Sequence, residues 1–150
     1  MTRKTPTGSK TGPRPEGPGP LILVVDDFED NRAMYVQFLT FEGFRVAEAD
    51  NGKEALDKAM TLQPDLVVMD LSLPILDGWE ATRRLKSDER TRHIPVVALT
   101  GHALGGHSER ARDAGCDSYL TKPCLPEDLV VEIRRMLAPS SSKPKPRSGK

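Results

Sequence analysis

The sequence predicts an α/β fold in which a doubly wound, five-stranded parallel sheet carries helices on both faces. Three observations support that expectation. Short apolar runs rich in Val, Ile and Leu recur along the chain, segments with apolar residues at helical spacing separate them, and an acidic or hydroxyl residue directly follows several of the runs. A strand buried on both faces reads as a continuous apolar run, and parallel neighbours need a crossover, which short alternating strands and helices supply. Right-handed crossovers are expected.

Leu21-Ile22-Leu23-Val24-Val25 stops at Asp26-Asp27 and reads as the first strand. From about Glu29, Ala33, Met34, Val36, Phe38, Leu39 and Phe41 mark the first helix, with Gly43 suited to a left-handed stop. Phe44 to Ala49 reads as a second strand and Asn51-Gly52 as a turn. Ala55, Leu56, Ala59, Met60 and Leu62 then give an amphipathic helix that Pro64 ends. Leu66-Val67-Val68-Met69 is a strand running into Asp70, followed by a loop with Pro74 and Asp77-Gly78 and a helix from about Trp79 to Lys86. Pro95 to Leu99 is a strand running into Thr100. A helix around Ser108 to Ala114 closed by Gly115, a short strand through Ser118-Tyr119-Leu120, and a helix from about Pro126 to Leu137 complete five strand-helix units.

The chain has 150 residues, 37% of them hydrophobic, enough for one core. A formal net charge of +0 conceals a segregation. Residues 1–20 hold four Lys/Arg against one acid and residues 138–150 four against none, which leaves 14 basic and 21 acidic residues, a net −7, within 21–137. The flanking segments are rich in Pro, Gly, Ser and Lys and offer little apolar surface to offset the entropy of ordering, so they are expected to be disordered, solubilising tails. Without interleaved aromatics they do not predict direct DNA binding. No run approaches the roughly 18 to 20 apolar residues of a membrane span, and the N-terminus lacks the apolar centre of a secretory signal. No membrane insertion and a cytoplasmic location are therefore expected. Cys116 and Cys124 lack paired C-x-x-C spacing and read as small buried hydrophobes, and His93, His102 and His107 read as surface imidazoles.

In open parallel sheets, ligands bind beyond the carboxyl ends of the strands. Asp26 and Asp27 end the first strand, Asp70 the third and Thr100 the fourth, and Lys122 follows the fifth, so all five should converge on one edge. Three clustered carboxylates repel, and such a site either holds a proton or binds a hard cation through oxygen. Mg²⁺, which keeps several waters and combines one or two carboxylates with phosphate, suits an open carboxylate set. Asp70, followed by the irregular Leu71-Ser72-Leu73-Pro74, can act as a nucleophile towards phosphorus. Lys122 can neutralise the phosphoryl oxygens and Thr100 can donate to them.

Val24-Val25-Asp26-Asp27, Met69-Asp70-Leu71-Ser72-Leu73-Pro74, Asp77-Gly78, Leu99-Thr100 and Tyr119-Leu120-Thr121-Lys122-Pro123 together resemble the response-regulator receiver pattern, across essentially all of Leu21 to Leu137. The resemblance implies a flavodoxin-like sheet of order 2-1-3-4-5. It further implies that Asp70 accepts phosphate from a sensor histidine kinase or a histidine phosphotransfer protein. Asp27 and Asp70, with the Ser72 carbonyl, would bind Mg²⁺ directly, and Asp26 would assist through water. Lys122 and Thr100 would contact the phosphoryl group, and Tyr119 would repack as Thr100 moves, altering the face seen by a downstream protein. A cis Lys122-Pro123 peptide is also implied.

Blander readings stand beside these. Asp26 and Asp27 can end a strand and cap a helix, Asp77-Gly78 can be an ordinary turn, Tyr119 can be a half-buried strand residue, and Trp79 can be packing or an exposed helix start. His102 borders the predicted site within the Gly101–Gly106 segment. Two other functions compete. An aspartyl-phosphate phosphatase of the haloacid-dehalogenase type needs a second Asp two residues after the first, where this chain has Ser72, and it needs room for a cap domain. A phosphate-independent binding module would keep the fold and use the site structurally. Neither Gly-rich nucleotide-binding motif follows the first strand. The expectation is a single-domain phosphoacceptor, not an enzyme beyond slow autodephosphorylation, with a detached receiver of a hybrid kinase as the alternative.

Overall fold

A computed structural model of the protein describes residues 17–71, 77–101, 114–122 and 124–138. The order is β1 (Leu21–Val25), α1 (Glu29–Phe41), β2 (Arg45–Ala49), α2 (Gly52–Leu62), β3 (Leu66–Asp70), α3 (Gly78–Ser87), β4 (Val96–Thr100), β5 (Ser118–Thr121) and a closing helix α4 (Pro126–Leu137). The helix expected around Ser108, most of the two tails, and Ser72, Pro74, His102, His107 and Pro123 lie outside the described residues.

The five strands form one parallel sheet in the order β2-β1-β3-β4-β5, as expected. Every residue of β1, β3 and β4 is buried. Their apolar side chains alternate between two cores because successive strand residues face opposite sides. Leu23, Val25, Val67, Met69, Val96 and Ala98 pack with Ala55 and Ala59 of α2 and with Trp79, Ala81 and Leu85 of α3. Ile22, Val24, Leu66, Val68, Val97 and Leu99 pack with Tyr35 and Leu39 of α1 and with Leu129 and Ile133 of α4. Helices thus cover both faces, and Trp79 is packing. Cys116 and Cys124 are free thiols, half-buried rather than fully buried, each against one of the two cores.

Three local expectations are corrected. Asn51-Gly52 is no turn: Asn51 caps α2 by accepting the Glu54 amide at 2.8 Å, while Glu54 accepts the Asp50 amide at 3.0 Å. As expected, α2 ends just before Pro64: the helix stops at Leu62, and Gln63, the residue preceding the proline, turns left-handed (φ 51°) while its side-chain amide donates to the Ala59 and Arg90 carbonyls. Asp77 is likewise a cap, accepting the Glu80 amide at 2.8 Å. Neither Asp26 nor Asp27 caps α1, whose N-cap is Phe28 with no side-chain bond. Gly43, at φ 100°, follows α1 as expected.

Candidate acidic phosphoacceptor site

Register brings the site together. Val25 pairs with Ala49 and Met69, Asp70 with Leu99, and Thr100 with Thr121, so the strands end at nearly one level. The residues immediately beyond, Asp26 after β1 and Lys122 after β5, therefore share an edge with Asp70 and Thr100. One carboxylate oxygen each from Asp26, Asp27 and Asp70 lies within 4.8 Å of the others. Asp26 and Asp70 are buried, whereas Asp27 is exposed. The Lys122 ammonium sits 3.1 Å from Asp70 Oδ2, and the Lys122 amide donates to the Thr100 carbonyl at 2.7 Å. Thr100 is itself buried at the end of β4.

Burial weighs against the charge on Asp26. Its Oδ1 accepts the Phe28 amide at 2.9 Å, while its buried Oδ2 has no hydrogen-bond partner among the described residues. Burial pushes its carboxyl above the ordinary aspartate range, the Phe28 amide opposes that, and the neighbouring Asp70 and Asp27 charges add to the rise. A buried carboxylate oxygen without a donor, facing two more carboxylates, is what a hard cation satisfies, and the all-oxygen donor set suits Mg²⁺. The residues present fit that ion.

Three supporting residues were not visible as such in the sequence. Arg32 of α1 donates to the Asp26 carbonyl at 2.8 Å and to Glu48 of β2 at 2.9 Å, so it ties the start of the acidic turn to the neighbouring strand end. Gly78 starts α3 against the Asp70 backbone, where a Cβ would stand 2.3 Å from the Asp70 carbonyl oxygen and 2.5 Å from the Leu71 Cα. Asp77-Gly78 signalled a break in the chain but not this close approach. Tyr35, buried in the α1 face, donates its hydroxyl to the Cys124 carbonyl at 3.0 Å, across 89 positions of sequence. Burial pushes that phenol up to about 12, with nearby Cys124, Asp26 and Asp70 adding to the rise. Tyr119, on β5, is 37% exposed, and His93 is exposed as expected.

The model of the response regulator receiver domain matches residues 22–134. The polar-differentiation response regulator DivK of Brucella anthropi is 41% identical over 116 residues, covering 77% of this chain and 94% of DivK. Among solved structures, the receiver domain of the sensor histidine kinase PA1611 from Pseudomonas aeruginosa, described with a magnesium ion coordinated in its active-site cleft, matches with a TM-score of 0.76. It is 34% identical, over 81% of this chain and 100% of that one. The Vibrio cholerae chemotaxis protein CheY4 matches with a TM-score of 0.74 at 27% identity, over 79% of this chain and 98% of its own.

Proposed function

This chain belongs to the response regulator receiver family, and from that premise we propose that Asp70 is its phosphoacceptor, supplied by the phosphohistidine of a sensor histidine kinase or a histidine phosphotransfer protein. The observation that carries the proposal is the meeting of the Lys122 ammonium with Asp70 at 3.1 Å, beside a second buried carboxylate that has an unpartnered oxygen.

In the transfer, an Asp70 carboxylate oxygen attacks phosphorus, the P–N bond breaks, and the imidazole leaves with the bonding electron pair. Before transfer Lys122 pairs with the Asp70 carboxylate; afterwards the same ammonium is within reach of the phosphoryl oxygens that the carboxylate now carries. The Thr100 hydroxyl supplies a donor from the next strand. Asp27 and Asp70, with the Ser72 carbonyl, are the proposed holders of Mg²⁺ and Asp26 its water-mediated support; when bound, the ion supplies charge neutralisation at the phosphoryl oxygens. Tyr119 is proposed to report the change to a downstream protein, because it lies on the strand that leads into Lys122 and reaches the surface. Residues 21–137 form the proposed receiver unit, flanked by the basic segments.

The family is a phosphoacceptor signalling module, and the only hydrolysis proposed here is slow loss of phosphate from Asp70 to water. The test is intact-mass measurement after incubation with acetyl phosphate and Mg²⁺. One added phosphoryl group, dependent on Mg²⁺ and absent in Asp70→Asn, is expected; a folded wild type that takes up none from acetyl phosphate or from a histidine kinase would leave the phosphate-independent binding module standing. The match to the receiver of a sensor kinase supports a second reading, in which this chain is the detached receiver of a hybrid kinase. Detection of the native protein by mass separates the two: a longer form carrying this sequence would favour the hybrid kinase, and a native protein found only at this length a receiver of its own.

A further inference from the structure

The loop between β5 and α4 carries Lys122, and the way it is held bears on where the ammonium sits. A lysine ammonium rides on a flexible four-carbon stem, so its mean position depends on how firmly the backbone beneath it is fixed. Upstream, the Lys122 amide is bonded to the Thr100 carbonyl at 2.7 Å. Downstream, Leu125 enters α4 without a side-chain cap, and the anchor is the Tyr35 hydroxyl on the Cys124 carbonyl at 3.0 Å.

Tyr35 is suited to that task. Its ring lies in the same core as Val24, Leu99 and Leu129, so the hydroxyl is fixed by packing rather than by a mobile side chain. A phenylalanine would bury nearly the same apolar surface, so packing alone does not call for the hydroxyl. At neutral pH the phenol stays protonated and can only serve the Cys124 carbonyl as a neutral donor.

We infer that Tyr35 is a positioning residue for Lys122: by bonding the Cys124 carbonyl, it lets α1 hold the β5–α4 loop so that the ammonium stays over Asp70. This rests on Asp70 being the phosphoacceptor and Lys122 its partner, and it assigns α1 a part in phosphoryl transfer beyond packing.

The test is a double-mutant cycle on the full chain, with the rate of phosphoryl uptake from acetyl phosphate measured for wild type, Tyr35→Phe, Lys122→Ala and the double variant. Tyr35→Phe is expected to slow uptake roughly tenfold, the scale of a small misplacement of a reacting group, while leaving Mg²⁺ affinity unchanged. In the Lys122→Ala background the same change should add nothing, because the group it positions is gone. A merely structural tyrosine would lower the rate equally in both backgrounds, and that result, or a wild-type rate in Tyr35→Phe, overturns the inference. Amide hydrogen exchange of the unphosphorylated protein supplies an arm that needs no transfer. Tyr35→Phe should speed exchange at Lys122 and leave Val24 in the sheet centre unchanged, whereas unchanged exchange at Lys122 also overturns the inference. If wild type takes up phosphoryl normally while both arms are flat, only Tyr35's role fails. If wild type takes up none, the Asp70 assignment fails, and the transfer role given to Tyr35 is withdrawn with it.

Discussion

The two edges of the sheet use aspartates in opposite ways. At the edge where the strands begin, Asp65 accepts the Leu21 amide at 2.8 Å, and Asp117 accepts the Val96 amide and the Lys86 ammonium, both at 2.8 Å. Each carboxylate there closes the open end of a neighbouring strand. At the edge where the strands finish, Asp26, Asp27 and Asp70 face one another, and one buried oxygen has no donor among the described residues. Satisfied carboxylates stabilise a fold, while crowded ones raise its free energy unless a cation or a proton offsets their charge. The contrast separates acids whose oxygens the fold satisfies from acids that the fold leaves crowded.

The strongest way to break this contrast is steric. Gly78→Ala drives a methyl group into the Asp70 and Leu71 backbone and is expected to cost about 3 kcal/mol, as overpacking does; urea unfolding would show a lowered midpoint, and Mg²⁺ binding should weaken with it. Asp117→Ala attacks the other edge, leaving the Val96 amide unpaired and Lys86 without its carboxylate. A loss of about 2 kcal/mol is expected, with Mg²⁺ affinity measured by calorimetry unchanged.

Alkaline pH probes the core beneath the site. The Tyr35 phenol is held to about 12 in the fold against about 10 when unfolded. Because the folded value is the higher, its stabilising effect is complete below pH 10 and is lost as pH rises towards 12. Wild type should therefore lose up to about 2 kcal/mol more than Tyr35→Phe across that interval, read from denaturant melts of the two proteins side by side. The smallest change has the opposite sign. Asp26 titrates above its ordinary range, so its charged form weighs against the fold as pH rises through that raised value. Asp26→Asn should stabilise the metal-free protein by roughly 1 kcal/mol at pH 7, while Mg²⁺, which should raise the melting temperature of wild type, should raise that of the variant less.

Much of this architecture was legible because it is written locally. Apolar runs marked β1, β3 and β4 and pointed to Asp26, Asp27, Asp70 and Thr100 at their ends, while Lys122 followed the shorter run of β5. Parallel pairing then converts position along each strand into position on a shared edge. What escaped depends on partners distant in sequence or on unusual backbone. Nothing in the neighbours of Tyr35 points to Cys124, and nothing around Arg32 names the Asp26 carbonyl. The proline marked where α2 ends, but the left-handed cap at Gln63 was not legible, because that conformation usually signals glycine. Asp77-Gly78 looked like a turn because a helix cap and a turn favour the same residue types.

The uneven covering of the sheet also bears on how such a protein can diverge. β1, β3 and β4 are buried along their whole length, whereas β5 alternates, with Tyr119 and Thr121 reaching solvent and Ser118 and Leu120 turned partly inward. The side chain of Tyr119 belongs to neither core, and neither Tyr119 nor Thr121 is one of the clustered carboxylates. A receiver of this kind therefore has room to vary the outer face of one strand while its buried strands keep the same acidic edge in register.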